Sequence, residues 1–274
     1  MEKAKGGLGR LAAAPHILWT ILFIAAPLLF VVYYTFTTPD GAFTFDNIFS
    51  LKEHVNTFML SVSLSVIATF ICFIVGYPLA YIIARSGGKS QRIMITLIML
   101  PMWTNLLIRT YSMMAIMDDG GFLNTILGYL NLGKVHLIGT KGAVIFGMVY
   151  DFLPYMVLPI YTTISKLDNS LMEAAGDLGC NFIKTITKVV LPLSASGIIS
   201  GVTMVFVPSI STFYISQKLG GGTFELIGDT IERQFQNSTT YNVGAAISLV
   251  MMVLVLISLA IMNRFADNEG GSEN

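Results

Sequence analysis

Side chains that could catalyse a reaction or bind a metal are few and widely separated in this sequence. Its histidines are His16, His54 and His136, and its cysteines are Cys72 and Cys180. A metal site needs several such ligands at short spacing, which none of these residues has. No serine lies in the G-x-S-x-G pattern of a hydrolase nucleophile. The sequence therefore predicts no metal site, no cofactor on this chain and no enzymatic activity.

One stretch partly matches the loop that binds nucleotide phosphates. Gly128, Gly133 and Lys134 have the G-x-x-x-x-G-K spacing, but Val135 follows where a serine or threonine would contact magnesium. A phosphate loop also needs a strand before it and a helix after it. We therefore expect no nucleotide site in this segment.

Long apolar stretches make up most of the chain that must position its polar residues. Hydrophobic residues form 54% of the 274 residues and charged residues 12%, about half the share in a soluble domain. Each stretch is long enough to cross a bilayer core of about 30 Å as a helix. The balance of sixteen basic and sixteen acidic residues argues against a nucleic-acid-binding protein. The predicted spans are residues 17–37, 57–84, 93–117, 142–165, 193–216 and 243–263.

Basic residues near the ends of these spans predict the orientation, because they are enriched in cytoplasmic segments. With the N-terminus in the cytoplasm, the cytoplasmic segments hold twice as many basic residues as the external ones. We therefore predict an all-α membrane protein with six transmembrane helices and both termini in the cytoplasm. The predicted regions are a cytoplasmic segment 1–16, a transmembrane domain 17–263 with a cytoplasmic loop 166–192, and a cytoplasmic tail 264–274.

Two charged residues fall inside predicted spans, where an unpaired charge is costly. At about 1.5 Å per residue, Arg109 lies roughly 12 Å and Asp151 roughly 13–14 Å from the outer ends of their spans. These similar depths predict that the two side chains form an ion pair in the outer half of the bundle, or that both face a water-filled cavity.

The cytoplasmic loop 166–192 is predicted to contain two short helices. Ser170 followed by Glu173 fits a capping box at the start of the first helix, and Gly179 fits a helix stop. A second helix is predicted from Phe182 to Val190. The first helix has an apolar face formed by Leu167, Leu171, Ala174, Ala175 and Leu178. Such helices can lie on the lipid surface, pack beneath their own bundle or dock into a groove on a soluble partner, and the residues alone favour none of the three.

Gly197 and Gly201 form a G-x-x-x-G pattern in the fifth span. Small residues at this spacing let two helices approach closely. We interpret these glycines as intrachain packing positions rather than as a contact with another subunit.

The loop also resembles the EAA loop of ABC-importer permeases. That family pattern is E-A-A, three residues, G, nine residues, I, one residue, L-P. This sequence departs from it only in having Val189 in place of isoleucine. Segments within residues 101–111, 153–161 and 213–228 resemble the first permease subunit of spermidine/putrescine importers. The matching residues of the loop are Glu173, Ala174, Ala175, Gly179, Leu191 and Pro192.

The resemblance implies the type I ABC-importer permease fold and a location in a prokaryotic cell membrane. It implies that the matching loop residues couple the chain to an ATPase. Glu173 would meet a basic or amide group of the ATPase, and Ala174 and Ala175 would allow the ATPase to approach closely. Gly179 would set the turn between the two loop helices, and Leu191-Pro192 would join the loop to the fifth span. The implied partners are two ATPase subunits, a second homologous permease and an external polyamine-binding protein. The ATP and its magnesium would be bound by the ATPase subunits and not by this chain.

A path for a polyamine needs carboxylates or carbonyls for its charges and aromatic faces for its alkyl chain. Acidic residues in the external loops would draw cations toward such a path. Arg109 opposes this unless Asp151 neutralises it, and Asp151 is then no longer a free counter-charge. The candidate path residues are Trp103, Tyr111, Tyr150, Asp151 and Tyr214.

Two other functions fit parts of the sequence. An ABC permease for sulfate, molybdate or iron would share the loop, although an anion importer is expected to have more basic residues at its mouth than these acid-rich external loops. An ion-driven secondary carrier usually has intramembrane carboxylates and broken helices in related halves, and Asp151 alone gives that function little support.

Overall fold

The structure is a computed structural model that describes residues 14–270. Within this range all regular elements are helical, apart from one antiparallel bridge between Thr37 and Phe43. Short 3₁₀ turns at Ser50–His54 lead into the third helix. The helices are α1 Ala14–Thr35, α2 Asp46–Phe49, α3 Val55–Arg85, α4 Gly88–Trp103, α5 Leu106–Met117, α6 Phe122–Tyr129, α7 Lys141–Ile164, α8 Ser170–Asp177, α9 Phe182–Leu193, α10 Ala195–Ser211, α11 Tyr214–Leu219, α12 Ile227–Gln236 and α13 Tyr241–Gly270.

The described chain forms two compact units. One contains residues 14–55 and 230–254, and the other contains residues 56–229 and 255–270. The second unit includes the predicted cytoplasmic loop and both charged residues of the predicted spans.

Four helical segments are long and apolar enough to cross a bilayer, namely Ala14–Thr35, Asp46–Arg85, Lys141–Ile164 and Tyr241–Met262. The second of these segments combines α2, the 3₁₀ turns and α3. Two helix pairs pass the same test only when each pair is counted as one bent span. The bend is 95° between Gly88–Trp103 and Leu106–Tyr129, and 73° between Phe182–Leu193 and Ala195–Ser211. The described residues therefore supply between four and six spans.

The stretch 93–117, predicted as one span, is broken after Trp103. Thr104 and Asn105 have extended backbone, and the next helix starts at Leu106. Asn105 Oδ1 accepts a hydrogen bond from the Leu107 N–H at 2.8 Å, which satisfies a backbone donor at the new helix start. The break therefore coincides with a capping residue inside an apolar run.

The stretch 193–216 is also interrupted, because α10 ends at Ser211, Thr212 is extended and α11 starts at Tyr214. The loop helix before it is longer than predicted, since α9 runs through Pro192 to Leu193 instead of ending at Val190. A π-helical turn at Ile186–Val190 explains this extension. There the Leu191 N–H donates to Ile186 O, and Pro192, which has no N–H to donate, falls in the first turn that follows.

Helix α13 continues to Gly270, into the segment predicted as the cytoplasmic tail 264–274. The remainder of that tail lies outside the described residues, as do residues 1–13 of the predicted N-terminal segment.

Helix α10 packs closely along α7 in the second unit. A Cβ atom at Gly197 would lie 2.5 Å from Thr163 Oγ1 and 2.8 Å from Pro159 O, both on α7. A Cβ at Gly201 would lie 2.9 Å from Met156 Sδ and 3.0 Å from Met156 O. The interpretation of both glycines as intrachain packing positions is confirmed.

Two buried amides hold the end of α1 in the first unit. Asn47 Nδ2 donates to Thr35 O at 3.0 Å and to Thr37 O at 2.9 Å, and Asn242 Nδ2 donates to Tyr34 O at 3.1 Å. The last carbonyls of a helix have no partner within it, so these side chains satisfy acceptors that would otherwise need water.

Replacing Gly197 by alanine is expected to lower the free energy of unfolding by about 1–3 kcal/mol, because the new methyl group overlaps a backbone oxygen of α7. The midpoint of heat-induced loss of monodisperse protein in detergent measures the effect. Gly128→Ala is the matched control, since no atom lies within 4 Å of its Cβ position. Equal midpoints for the two variants would contradict the close packing of α7 and α10.

Candidate functional site

The first loop helix, α8, starts with a different cap from the predicted one. The Ser170 N–H donates to Asp168 Oδ1 at 3.0 Å, whereas Asn169, directly before the helix, makes no side-chain cap. Hydrogen bonds from the Ser170 backbone and side chain lower the pKa of the Asp168 carboxyl. The predicted capping box of Ser170 and Glu173 is therefore wrong, because an acceptor two residues earlier caps the helix instead.

The end of α8 is the predicted glycine stop. Gly179 has φ +76°, a left-handed conformation that glycine adopts without steric cost. The Cys180 N–H donates to Ala175 O at 3.0 Å and the Gly179 N–H donates to Gly176 O at 2.8 Å. This pair of bonds is a Schellman motif, and it sets the turn between α8 and α9.

The predicted apolar face of α8 is divided between the interior and solvent. Leu167 is partly buried and packs against the hydrophobic core of the second unit, and Ala175 is buried. Leu171, Ala174 and Leu178 are exposed, with 85% of Leu178 accessible. Packing beneath the chain's own bundle therefore accounts for only part of this face.

Exposed residues of α9 extend this uncovered area. Phe182 and Ile183 are 64% and 69% exposed, although both are large apolar side chains. Glu173, the acid of the EAA pattern, is exposed as well. We call this area the loop surface and define it as Leu171, Glu173, Ala174, Leu178, Phe182 and Ile183.

The other pattern residues, Leu191 and Pro192, lie in the last turn of α9, next to the bend at Ser194. Ser194 is buried, and its hydroxyl donates to Leu191 O at 3.1 Å. Five of the six pattern residues thus lie at the surface, the turn and the junction with α10, rather than in one cluster. The sixth, Ala175, is buried within the chain, so the expectation that it allows close approach of a partner is wrong for this residue.

Sequence reasoning missed the contacts that α3 makes with this loop. The Arg85 guanidinium donates to Asn169 Oδ1, and the Tyr81 ring packs edge-on against Phe182 with centroids 5.8 Å apart. These partners are distant in sequence, so no local pattern indicates them. Their spacing of four residues on α3 is the only signal that could have suggested a common face.

The structure brings the two intramembrane charges together. Arg109 Nη1 lies 2.8 Å from Asp151 Oδ1, and Asp151 is only 2% exposed. The contact is an ion pair without hydrogen-bond geometry, and Asp151 Oδ2 and Arg109 Nε have no hydrogen-bond partner among residues 14–270. Asp151 is thus already occupied by a counter-charge.

The other candidate path residues fall into separate places. Tyr150 and Arg109 line one pocket of about 390 Å³, and the Trp103 ring is largely exposed at the end of α4. Tyr111 and Tyr214 form an edge-to-face pair with centroids 6.2 Å apart. Lys218 Nζ lies 5.3 Å and 5.7 Å from these two ring centroids, so an ammonium of the chain already faces both rings.

Comparison with known proteins finds relatives along nearly the whole chain. Residues 76–268 match the family described as "Binding-protein-dependent transport system inner membrane component". The spermidine/putrescine transport system permease protein PotB of Haemophilus influenzae is 37% identical over 257 residues, which cover 90% of each chain. PotB of Escherichia coli is 35% identical over 253 residues, covering 89% of this chain and 92% of that protein.

A solved structure shares the fold at low sequence identity. It is a bacterial alginate ABC transporter in complex with an alginate pentasaccharide-bound periplasmic protein. The matching chain has a TM-score of 0.78 and 16% identity, with coverage of 97% of this chain and 96% of that one. The fold is therefore that of type I ABC-importer permeases, as the resemblance implied.

Replacing Asp151 by asparagine is expected to destabilise the protein by about 3–5 kcal/mol, because Arg109 loses its counter-charge in a buried position. Heat-induced loss of monodisperse protein in detergent provides the measurement. A double variant, Arg109→Met with Asp151→Leu, is expected to recover most of the loss, since it removes both charges. The single variants Arg109→Met and Asp151→Leu complete the comparison. A loss of stability in the double variant equal to the sum of these two single losses would show that the two side chains do not stabilise each other.

Proposed function

Because this chain belongs to the family of binding-protein-dependent transport system inner membrane components, we propose that it is the permease subunit of an ATP-driven importer of spermidine and putrescine. The observation that carries the proposal is the 37% identity to a spermidine/putrescine permease over 90% of both chains. The chain acts as a transport subunit, and a partner ATPase hydrolyses the ATP. Family membership also favours this function over an ion-driven carrier.

The chain is a multi-pass protein of a bacterial plasma membrane, and we propose six spans. If each bent helix pair crosses the bilayer once, four straight helices and two bent pairs make six crossings. An even number returns the chain to its starting side. The distribution of basic residues favours the cytoplasm for that side, which puts the loop surface where ATP is available.

The loop surface is the proposed docking site for the ATPase. Leu171, Leu178, Phe182 and Ile183 are exposed apolar side chains, and such an uncovered patch on a folded protein often marks a binding site. Exposed Glu173 offers an acceptor to a basic or amide group of the partner. The Schellman turn at Gly179 fixes the angle between α8 and α9, so the two helices present their exposed residues together.

The proposed assembly contains two ATPase subunits, a second homologous permease and an external polyamine-binding protein. Closure of the ATPases on ATP would displace α8 and α9 together. Leu191 and Pro192 connect α9 to the bend before α10, so this displacement would tilt α10 and the closely packed α7. Tilting of these helices would alternate access between the two sides of the membrane.

The aromatic pair is the best-supported part of the proposed substrate path. Tyr111 and Tyr214 already face one ammonium group, that of Lys218, as they would face an ammonium of a polyamine. Asp151 is a weaker candidate than the sequence suggested, because Arg109 neutralises it. Lys218 would then be an internal competitor for the cation site.

An importer of sulfate or molybdate is a less suitable function for this chain. Its external loops contain more acidic than basic residues, which would repel an anion and attract a polyamine. The substrate assignment depends on relatives and on this charge, whereas the permease assignment follows from the family.

The complete complex reconstituted in vesicles is expected to accumulate spermidine only when ATP is present. Radiolabelled spermidine uptake, with sulfate and molybdate as alternative substrates, tests both the energy source and the substrate. Uptake driven by an ion gradient without ATP would favour a secondary carrier, and preference for an anion would overturn the polyamine assignment.

Charge reversal at Glu173 tests the docking site. Glu173→Lys is expected to reduce the affinity for the ATPase by about tenfold or more, because it places a cation opposite the proposed basic partner group. Co-purification of the ATPase at several protein concentrations measures this. Asp177→Lys, on the last turn of the same helix, is the control and is expected to have a smaller effect. Equal losses would show that the charge of the loop matters and the position of Glu173 does not.

Removing the internal ammonium tests the aromatic site. Lys218→Gln is expected to lower KM for spermidine by about two- to fivefold, since the competing cation is lost, and Tyr214→Leu is expected to raise it. Initial rates of ATP-dependent uptake supply both values, with Lys134→Gln in an exposed external loop as the control. An unchanged KM in both test variants would remove Tyr214 and Lys218 from the substrate path.

A further inference from the structure

We propose that one side of α3, formed by Tyr77, Tyr81 and Arg85, passes movement of the loop 166–192 to that helix. We call these three residues the transmission face. The inference rests on the proposed function, because it concerns how force from the ATPase enters the bundle. It adds α3 to the helices that the loop moves directly, and it assigns positioning roles to three residues outside the EAA pattern.

The three residues share one side of α3, because they are spaced four residues apart. Each contacts a different point of the loop or of the bend that follows it. Arg85 donates to Asn169, directly before α8, and Tyr81 packs on Phe182, the first residue of α9. Tyr77 Oη lies 3.1 Å from Ser194 Oγ, at the bend after α9. Contacts therefore join α3 to the residue before α8, to the start of α9 and to the bend that follows the loop.

The innermost contact connects α3 with the EAA pattern itself. Ser194 Oγ donates its hydrogen to Leu191 O at 3.1 Å, so the Tyr77 hydroxyl is the donor to Ser194. Tyr77 and Ser194 are both buried, and breaking this bond without water would leave polar groups unpaired. Displacement of Leu191 would thus act on Tyr77 through two consecutive hydrogen bonds.

The outermost contact involves a charged donor. A hydrogen bond from a guanidinium is stronger than one between neutral groups. Arg85 Nε and Nη2 are also buried and have no hydrogen-bond partner among the described residues. The bond to Asn169 is therefore the main compensation for the burial of this guanidinium. Because breaking the bond would be costly, Asn169 is expected to move together with α3 rather than to separate from it.

Helix α3 extends far enough to carry this movement across the bilayer. It is continuous over 31 residues, and Ser61 lies roughly 36 Å along the helix from Arg85. There Ser61 Oγ accepts a hydrogen bond from the Ile227 N–H at 2.7 Å, at the start of α12. A shift of α3 would accordingly reach the opposite end of the second unit.

The first test compares uptake with ATP hydrolysis in the reconstituted complex. Arg85→Gln and Tyr77→Phe are each expected to lower the number of substrate molecules transported per ATP by about two- to tenfold, with normal ATPase co-purification. Arg92→Gln is the matched control, because Arg92 is also a cytoplasmic-side arginine but is exposed. A purely structural role would reduce the amount of complex without changing this ratio.

A double variant identifies the pair. Arg85→Gln combined with Asn169→Ala is expected to be no worse than Arg85→Gln alone, because both changes remove the same bond. A ratio in Arg85→Gln equal to that in Arg92→Gln would overturn the proposed role of Arg85.

The second test needs no change at the transmission face, so it remains informative if those variants fail to fold. Spin labels on Cys180 in the loop and on a cysteine introduced by Ile82→Cys report the distance between the loop and α3. Ile82 is exposed, whereas the native Cys72 is fully buried. We expect the same distance in the nucleotide-free and vanadate-trapped complexes, because the loop and α3 move together.

A change in this distance between the two states would overturn the inference, since the loop would then slide past α3. The proposed function has a test of its own: it would be overturned if the unaltered chain neither binds an ATPase nor supports ATP-dependent uptake. That outcome would overturn both proposals, whereas normal uptake with a changing distance overturns only the transmission face.

Discussion

A bilayer offers no hydrogen-bond partner to the polypeptide, and this constraint explains where polar side chains occur in the helical regions of the chain. Asn105 caps the helix that restarts within the third apolar stretch, and Ser194 satisfies a carbonyl at the bend between α9 and α10. Asn47 and Asn242 satisfy carbonyls at the end of α1. At these three places a side chain replaces a missing backbone partner.

The same constraint separates the charged residues into those that stabilise the bundle and those available to ligands. Arg109 and Asp151 neutralise each other in a buried position, which makes them part of the packing. Lys218, in contrast, faces two partly accessible aromatic rings. A ligand cation can compete with such an arrangement far more easily than with a buried ion pair.

The apolar stretches were sufficient to predict the straight helices, because a helix of this length in lipid is determined by hydropathy over many residues. The ends of α3 and α7 agree with the predicted spans to within a few residues. The breaks at Thr104 and Ser194 depend on one or two polar residues, which barely change the hydropathy of the surrounding stretch. The cap of α8 was misassigned because Asp168, Asn169 and Ser170 are all good capping residues, and only the backbone geometry distinguishes them.

The candidate site was predictable to the extent that it is local. The turn at Gly179 follows from a glycine after an amphipathic segment, whereas the bonds from Arg85 to Asn169 and from Tyr77 to Ser194 join residues that are 84 and 117 positions apart. The exposed loop surface has a further consequence for the cell. If the ATPase covers this surface as proposed, a copy of the chain made in excess of its ATPase would leave Phe182, Ile183 and Leu178 exposed to water, where they would favour aggregation and recognition by quality-control proteases. On that proposal, three uncovered side chains favour balanced synthesis of the subunits.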